Sequence, residues 1–477
     1  MASAVVVLWF LLIGLPGATA ELPLSQATQS CLKCHESMSP NLVESWRKSS
    51  HAQHGIGCFE CHQANASDPD AIPDHNGHII STLVTPNDCG RCHAEQAASF
   101  ARSRHATTAL RMRQPDGQAF DGTKPEVFLG GVMQGMASFL NGCESCHGSQ
   151  VAIDPETRLP LSRTYPNHGI GRINPDGSVG ACSACHQRHE FRIASTRQPG
   201  VCGRCHLGPD HPQLEIWKES KHGLTFHTTN DLVDLNRRPL LLGRHPVVVP
   251  TCATCHLGGT IGGTAQTHDP GTRLSWRTGL EVSSRTTDWS DKRLAMFNVC
   301  ANCHSMNLII SHYEHLDKAI ALYNKKFAEP AREILDRLRQ AGKLDPAPFN
   351  EKIELIWLSL WHHEGRRARM GAAMMGPDYV QWQGFYQVAL RFYFEFLPEA
   401  ERLSPGITAE IAARPEHRWL TEIGGTKEEA EAAIQRSIRF WLESQPPDPG
   451  SGQPDDGASA TMETAPAIST PATEKSH

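Results

Sequence analysis

All sixteen cysteines of this 477-residue chain fall into eight pairs of one spacing, Cys-x-x-Cys, and a histidine directly follows each pair. The sets are Cys31, Cys34 and His35; Cys58, Cys61 and His62; Cys89, Cys92 and His93; and Cys143, Cys146 and His147. They continue with Cys182, Cys185 and His186; Cys202, Cys205 and His206; Cys252, Cys255 and His256; and Cys300, Cys303 and His304. A disulfide framework has no reason to repeat one spacing eight times, and zinc ribbons do not require a histidine after every second cysteine. Two thiols so spaced can each form a thioether to one of the two vinyl groups of a single haem, and the adjacent histidine then reaches the iron. The pattern therefore predicts eight covalently bound c-type haems. A chain wrapped around such groups uses their faces as its core, so regular structure between the motifs is expected to be sparse.

Eight of the 26 histidines are spent as proximal ligands, leaving 18. Three of these share a context of aromatic, two residues, serine, one residue, histidine: Trp46, Ser49 and His51; Phe100, Ser103 and His105; Trp217, Ser220 and His222. Each lies 12 to 16 residues beyond a motif histidine, roughly 18–24 Å if helical, so it is expected to cap a neighbouring iron. His189 follows His186 by three positions and shares its helical face, so it should serve a different haem. His75 and His268 in polar loops, and His362 and His363 on a C-terminal helix, complete the candidates, with His363 taken as the seventh distal ligand. A fully six-coordinate array passes electrons; ligand chemistry needs an iron with an open position.

Residues 21–305 carry the motifs at irregular intervals, separated by loops rich in Gly, Pro, Asn and Asp, and form the expected multihaem cytochrome c domain. From 306 to 444 the chain reads as a C-terminal helical domain. Apolar residues recur every three or four positions over 315–342, 351–373, 379–403 and 426–443, and Pro330 is expected to kink or break the first helix. The class is mainly α. Residues 445–477, rich in Pro, Gly, Ser and Thr, read as a disordered tail.

Residues 1–20 have the apolar core and small-residue exit of a secretory signal, with cleavage expected after Ala20 and a periplasmic location. The first three residues lack Lys and Arg, and an uncleaved anchor is the alternative. The net charge of −6 argues against a nucleic-acid partner.

The eight motifs followed by a helical part resemble the octahaem hydroxylamine oxidoreductase family, over roughly residues 31–400. The similarity is densest between Cys182 and His222, and includes Thr267-His268 and the serine after His304. This resemblance implies a homotrimer, a catalytic haem at the fourth motif (Cys143, Cys146 and His147), and two-histidine ligation at the other seven. The family's distal Asp-His pair falls on Asp210 and His211, groups able to move protons beside an open iron. A third family position falls on His312 or Tyr313. Members that oxidise hydroxylamine cross-link a tyrosine of a neighbouring subunit to the catalytic haem, shortly before a Gly-Pro. Here Arg369 to Pro377 contains no tyrosine, and Tyr379 and Tyr386 lie beyond the Gly-Pro. The expectation is therefore reduction of nitrite or hydroxylamine to ammonium, with electrons from a cytochrome or quinol-linked donor. The alternatives are hydroxylamine oxidation to nitric oxide or nitrite through Tyr379 or Tyr386, and a non-enzymatic electron conduit. Pentahaem nitrite reductases and octahaem tetrathionate reductases usually carry lysine at the catalytic motif, which none of the eight motifs here does.

Overall fold

The haem-binding spacing becomes structure one helical turn at a time. In the computed structural model, which describes residues 22–113 and 120–444, the motif histidine amide bonds back to the carbonyl of the first cysteine. The bonds are His93 to Cys89 (2.9 Å), His206 to Cys202 (2.9 Å) and His304 to Cys300 (2.9 Å). That turn sets the two cysteines and the histidine, at positions one, four and five, on one face. Single-turn helices at Cys58–His62, Cys143–His147 and Cys252–His256 consist of the motif alone. Local side chains start several of these turns. Asp88 receives the Thr85 amide (2.7 Å) and Thr254 that of Thr251 (3.1 Å), satisfying donors that a helix start leaves open. Only short two-stranded pairings occur among the described residues, the longest being Ile72–His75 with His78–Ile80. The expected leader and tail lie outside the described residues.

Beyond the last motif the chain turns helical, nine residues earlier than the periodicity placed it. Met306–Tyr323 runs through a wide π turn at Asn324–Ala328 into Glu329–Gln340. Pro330 neither breaks nor ends the helix, because it sits in the first turn after that wide turn, where the regular ladder is already interrupted. Lys352–Leu358, a second π turn at Ser359–Glu364 and Gly365–Met374 form the next rod, and Pro377–Leu403 the third, with π turns at Gln381–Tyr386 and Phe392–Phe396. Ile320, Tyr323, Ile334, Leu338, Leu360, Phe392 and Phe396 are buried where these rods meet. Each fully buried aliphatic or aromatic side chain contributes roughly 1.5–3 kcal/mol.

The described chain forms two compact units. The first extends to Thr408 and contains the motifs together with the three rods, so the helical stretch expected from 306 to 444 is divided. The second begins at Ala409. It is built on helix Lys427–Glu443, whose start is closed by a reciprocal Thr426–Glu429 capping box. Arg436 pairs with Glu422 at 3.1 Å within this unit. No helix among the described residues is long and apolar enough to cross a membrane.

Candidate haem array and reaction site

All eight motif histidines line one continuous internal space of about 3440 Å³ in the first unit. A pocket for one small ligand holds about 300–1,000 Å³, so the space suits several large groups side by side. The second-set histidines project into the same space opposite the motifs. Ring centroids lie 6.2 Å apart for His35 and His75, 6.2 Å for His51 and His93, 6.5 Å for His186 and His268, and 5.9 Å for His222 and His304. Two imidazoles bound on opposite sides of a metal at about 2.0–2.1 Å each place their centroids about 6.3 Å apart. His189 lies within electrostatic reach of His62. The Nδ1 atoms of two motif rings are engaged by the protein. That of His62 meets the Ser81 carbonyl at 2.8 Å and that of His206 meets the Gln213 side-chain oxygen at 3.2 Å. A ring donating from Nδ1 keeps Nε2 for a metal. These observations fit the haems that the motifs imply.

The motif cysteines show which haem positions adjoin. Side chains meet between Cys89 and Cys182, between Cys146 and Cys205, and between Cys202 and Cys252. Cys185 lies near Cys202, and Cys255 near Cys300. The sixth motif thus borders the fourth, fifth and seventh.

The fourth motif is braced from behind by backbone. The Ile170 and Gly171 amides bond to the Cys146 (2.9 Å) and His147 (3.1 Å) carbonyls. A Cβ on Gly169 would lie 2.0 Å from the Gly148 nitrogen, so glycine is required for the approach. Asp210 and His211 come together beside this motif. The Asp210 Oδ1 to His211 Nδ1 distance is 2.7 Å, and both residues lie within electrostatic reach of Cys146. Burial opposes charge on both groups, yet their pairing outweighs it. Asp210 is brought down to about 2 by the His211 bond and charge, with His362 and Arg366 adding, and His211 is raised. His211 lines the internal space, with Asp210 behind it.

His206 has two ring neighbours at 5.9 Å, His105 and His211, and His105 is also within electrostatic reach of His256. The other expected site residues lie elsewhere. Tyr313 packs against the tilted Phe297 ring (4.9 Å) and under the Arg293 guanidinium (4.5 Å), near Cys300 and Cys255 of the last two motifs. The His312 side chain meets the Ala373 backbone. His363 neighbours His362 (5.3 Å), lies within electrostatic reach of Asp210, and is not among the residues that line the internal space. Burial, then His362, pulls His363 down to about 4. The sequence reading missed Arg366, whose Nη1 lies 3.7 Å from Asp210 Oδ2. It sits about 150 positions away and carries no motif.

The fold and the site define a multihaem c-type cytochrome. Residues 177–350, holding the last four motifs, match the family described as seven times multi-haem cytochrome CxxCH. The chain is 23% identical over 389 residues to a probable nitrite reductase-hydroxylamine oxidoreductase fusion protein of Kuenenia stuttgartiensis, covering 69% of this chain and 40% of that protein. The chain thus spans less than half the length of this curated relative. Among solved structures, a hypothetical multiheme protein superposes with a TM-score of 0.67 at 25% identity, over 82% of this chain and 97% of the other. A reducing HAO-like protein complex of Kuenenia stuttgartiensis superposes with a TM-score of 0.60 at 20% identity, over 81% and 87%. The fold is that of HAO-like multihaem proteins, mainly α, as the sequence led us to expect.

Proposed function

We propose that the chain carries eight c-type haems and reduces nitrite or hydroxylamine to ammonium at the fourth motif, held by Cys143, Cys146 and His147. The carrying observation is the Asp210–His211 hydrogen bond of 2.7 Å beside Cys146. When bound, haem supplies a redox-active iron able to exchange electrons with a nitrogen ligand. The protein's own residues manage protons and orientation. Asp210 accepts from His211 Nδ1, which fixes the ring and favours its protonated form, and only that imidazolium carries a second N–H, at Nε2, to donate into the site. Reduction of either substrate to ammonium consumes protons with the electrons, and a held imidazole is suited to deliver them. In this reading His105 and the other patterned histidines close the remaining irons, and an external cytochrome or quinol-linked donor supplies the electrons. The printed name of one Kuenenia neighbour, a reducing HAO-like protein complex, agrees with that direction, while the name of the other joins a nitrite reductase to a hydroxylamine oxidoreductase.

The test is carbon monoxide binding to the dithionite-reduced protein, followed by ammonium assay with reduced viologen and nitrite or hydroxylamine. One carbon-monoxide-binding haem per chain and ammonium formation are expected. Eight haems that all refuse carbon monoxide would make the chain an electron conduit. A red-shifted Soret band of a tyrosine-linked haem would reverse the direction to hydroxylamine oxidation.

A further inference from the structure

Helix Gly365–Met374 presents two side chains, one turn apart, to the segment that carries the distal pair. Arg366 reaches Asp210, and the Met370 sulfur accepts from Gln213 Nε2 at 3.3 Å. Gln213 in turn holds the ring of His206. Residues spaced by four share a helical face, so one face braces both the distal pair and the sixth motif's histidine. The helix itself is fixed. Arg369, fully buried, donates to the carbonyls of Gly365 (2.7 Å), Leu280 (2.8 Å) and Trp361 (3.2 Å) and to Ser283 Oγ (2.6 Å), and lies 3.9 Å over the Tyr323 ring.

Arg366 has little freedom of its own. Its Nε and Nη2 donate to the Gly279 carbonyl at 3.2 and 2.8 Å, and its guanidinium stacks 5.0 Å from the Trp361 ring. The Nη1 edge is left facing Asp210 Oδ2, on the side away from His211, and the Arg366 side chain is 13% exposed. Asp210 is thus gripped from both sides, by His211 on one oxygen and Arg366 on the other. A single ion pair at 3.7 Å adds little stability, but a guanidinium fixed at its other edge defines where the carboxylate can sit.

We infer that Arg366 is a positioning residue, holding Asp210 so that His211 points its free nitrogen at the fourth motif's ligand position. This inference rests on the reduction reading and adds the element that enforces its geometry. Arg366 acts through Asp210 and does not touch substrate, so its loss should act only through the His211 hydrogen bond: on turnover and on an anionic ligand such as cyanide, and much less on the KM of neutral hydroxylamine.

The experiment compares the haem-loaded parent protein with Arg366→Gln, Arg366→Lys, Asp210→Asn and the Arg366→Gln/Asp210→Asn double variant. Hydroxylamine is the substrate, and cyanide is an equilibrium ligand of the ferric protein. Arg366→Gln should lower kcat by about tenfold or more with KM within about threefold. It should also weaken cyanide binding by a similar factor, because His211 no longer donates to the ligand, while Arg366→Lys recovers most of both. Adding Arg366→Gln to Asp210→Asn should cost nothing further. Cyanide binding and turnover within about twofold of the parent in Arg366→Gln overturn the inference, as does a full additive loss in the double variant. So does an equal loss in both Arg366 variants accompanied by a lowered melting temperature. A parent that binds no cyanide and makes no ammonium instead overturns the reduction reading itself.

Discussion

Two carboxylate oxygens and one imidazole carry most of the chemistry assigned to this chain. Asp210 is held ionised against burial by His211 and the cations around it, so replacing it with Asn removes a charge and an acceptor while preserving shape. Asp210→Asn and His211→Gln are each expected to lower kcat for hydroxylamine by about a hundredfold or more, the usual worth of a placed proton donor. Steady-state kinetics on haem-replete protein check this. A variant that instead turns one low-spin haem high-spin, seen by electron paramagnetic resonance, would assign His211 as the cap of the sixth motif, whose ring it approaches as closely as His105 does. A different single atom governs the proximal side. The Cβ introduced by Gly169→Ala would fall 2.0 Å from the Gly148 nitrogen, with backbone on both sides and no flexible side chain to yield. Overpacking of this kind costs typically 1–3 kcal/mol or somewhat more. We expect a lowered melting temperature, and loss of carbon monoxide binding before loss of total haem.

Among the elements, helix Met306–Tyr323 is tied through one carboxylate to the paired strands Trp276–Arg277 and Ser284–Arg285 and to helix Trp289–Cys300. Asp317 accepts from Trp276 (2.7 Å), from Arg285 (2.9 Å) and from both terminal nitrogens of Arg293 (2.8 and 2.7 Å). The two guanidiniums also stack on Trp276, Trp289 and Tyr313. Burial raises the Asp317 pKa, but the bonds from Arg293, Trp276 and Arg285 outweigh it and the net shift is downward. A carboxylate depressed on folding contributes stability that is present above its unfolded value of about 3.9 and is lost as pH falls through the folded value. Asp317→Asn should therefore cost about 1–3 kcal/mol in denaturant unfolding at pH 7, and the gap from the parent should narrow below pH 4. This layer was only partly legible in the sequence. The motif turns and the rods could be read because their signals are local: a fixed spacing in one case, a 3.6-residue period in the other. That His51, His75, His222 and His268 are candidate caps followed from context and from the need to close irons; which motif ring each one faces had no local signal. The meeting of Asp210 with Arg366, and the clamp made by Arg369, had no local signal, because they depend on how a late helix docks. The π turn at Ser359–Glu364 was hidden for the same reason. It carries Leu360, Trp361, His362 and Glu364, all buried, and so continues the buried run of the helix before it.

At the scale of the whole first unit, the internal space sets the energetics. The mostly apolar walls stand around about 3440 Å³, and without haem faces between them the lining side chains lack the packing partners that a protein core requires. Net stability is only about 5–15 kcal/mol for ordinary domains, too little to hold such walls apart without the cofactors. Haem attachment and folding should therefore be one process, and the chain made without haem ligation should be protease-sensitive and lack a cooperative melt. The dependence is not uniform along the motifs. Cys31 of the first motif adjoins Cys58 of the second, at one end of the array. The sixth motif borders three others, through Cys202 with Cys252, Cys205 with Cys146, and Cys185 with Cys202. Paired alanine substitutions at Cys31 and Cys34 should yield a folded protein lacking one haem, with most of the parent's thermal stability. The same change at Cys202 and Cys205 removes the group against which three neighbours pack, and should lower the haem-to-protein ratio by more than one. Intact-mass spectrometry and the pyridine haemochrome ratio separate these outcomes. An equal loss of one haem from each variant, with equal melting temperatures, would show that the haem positions are independently supported by the chain and that the sixth is no keystone.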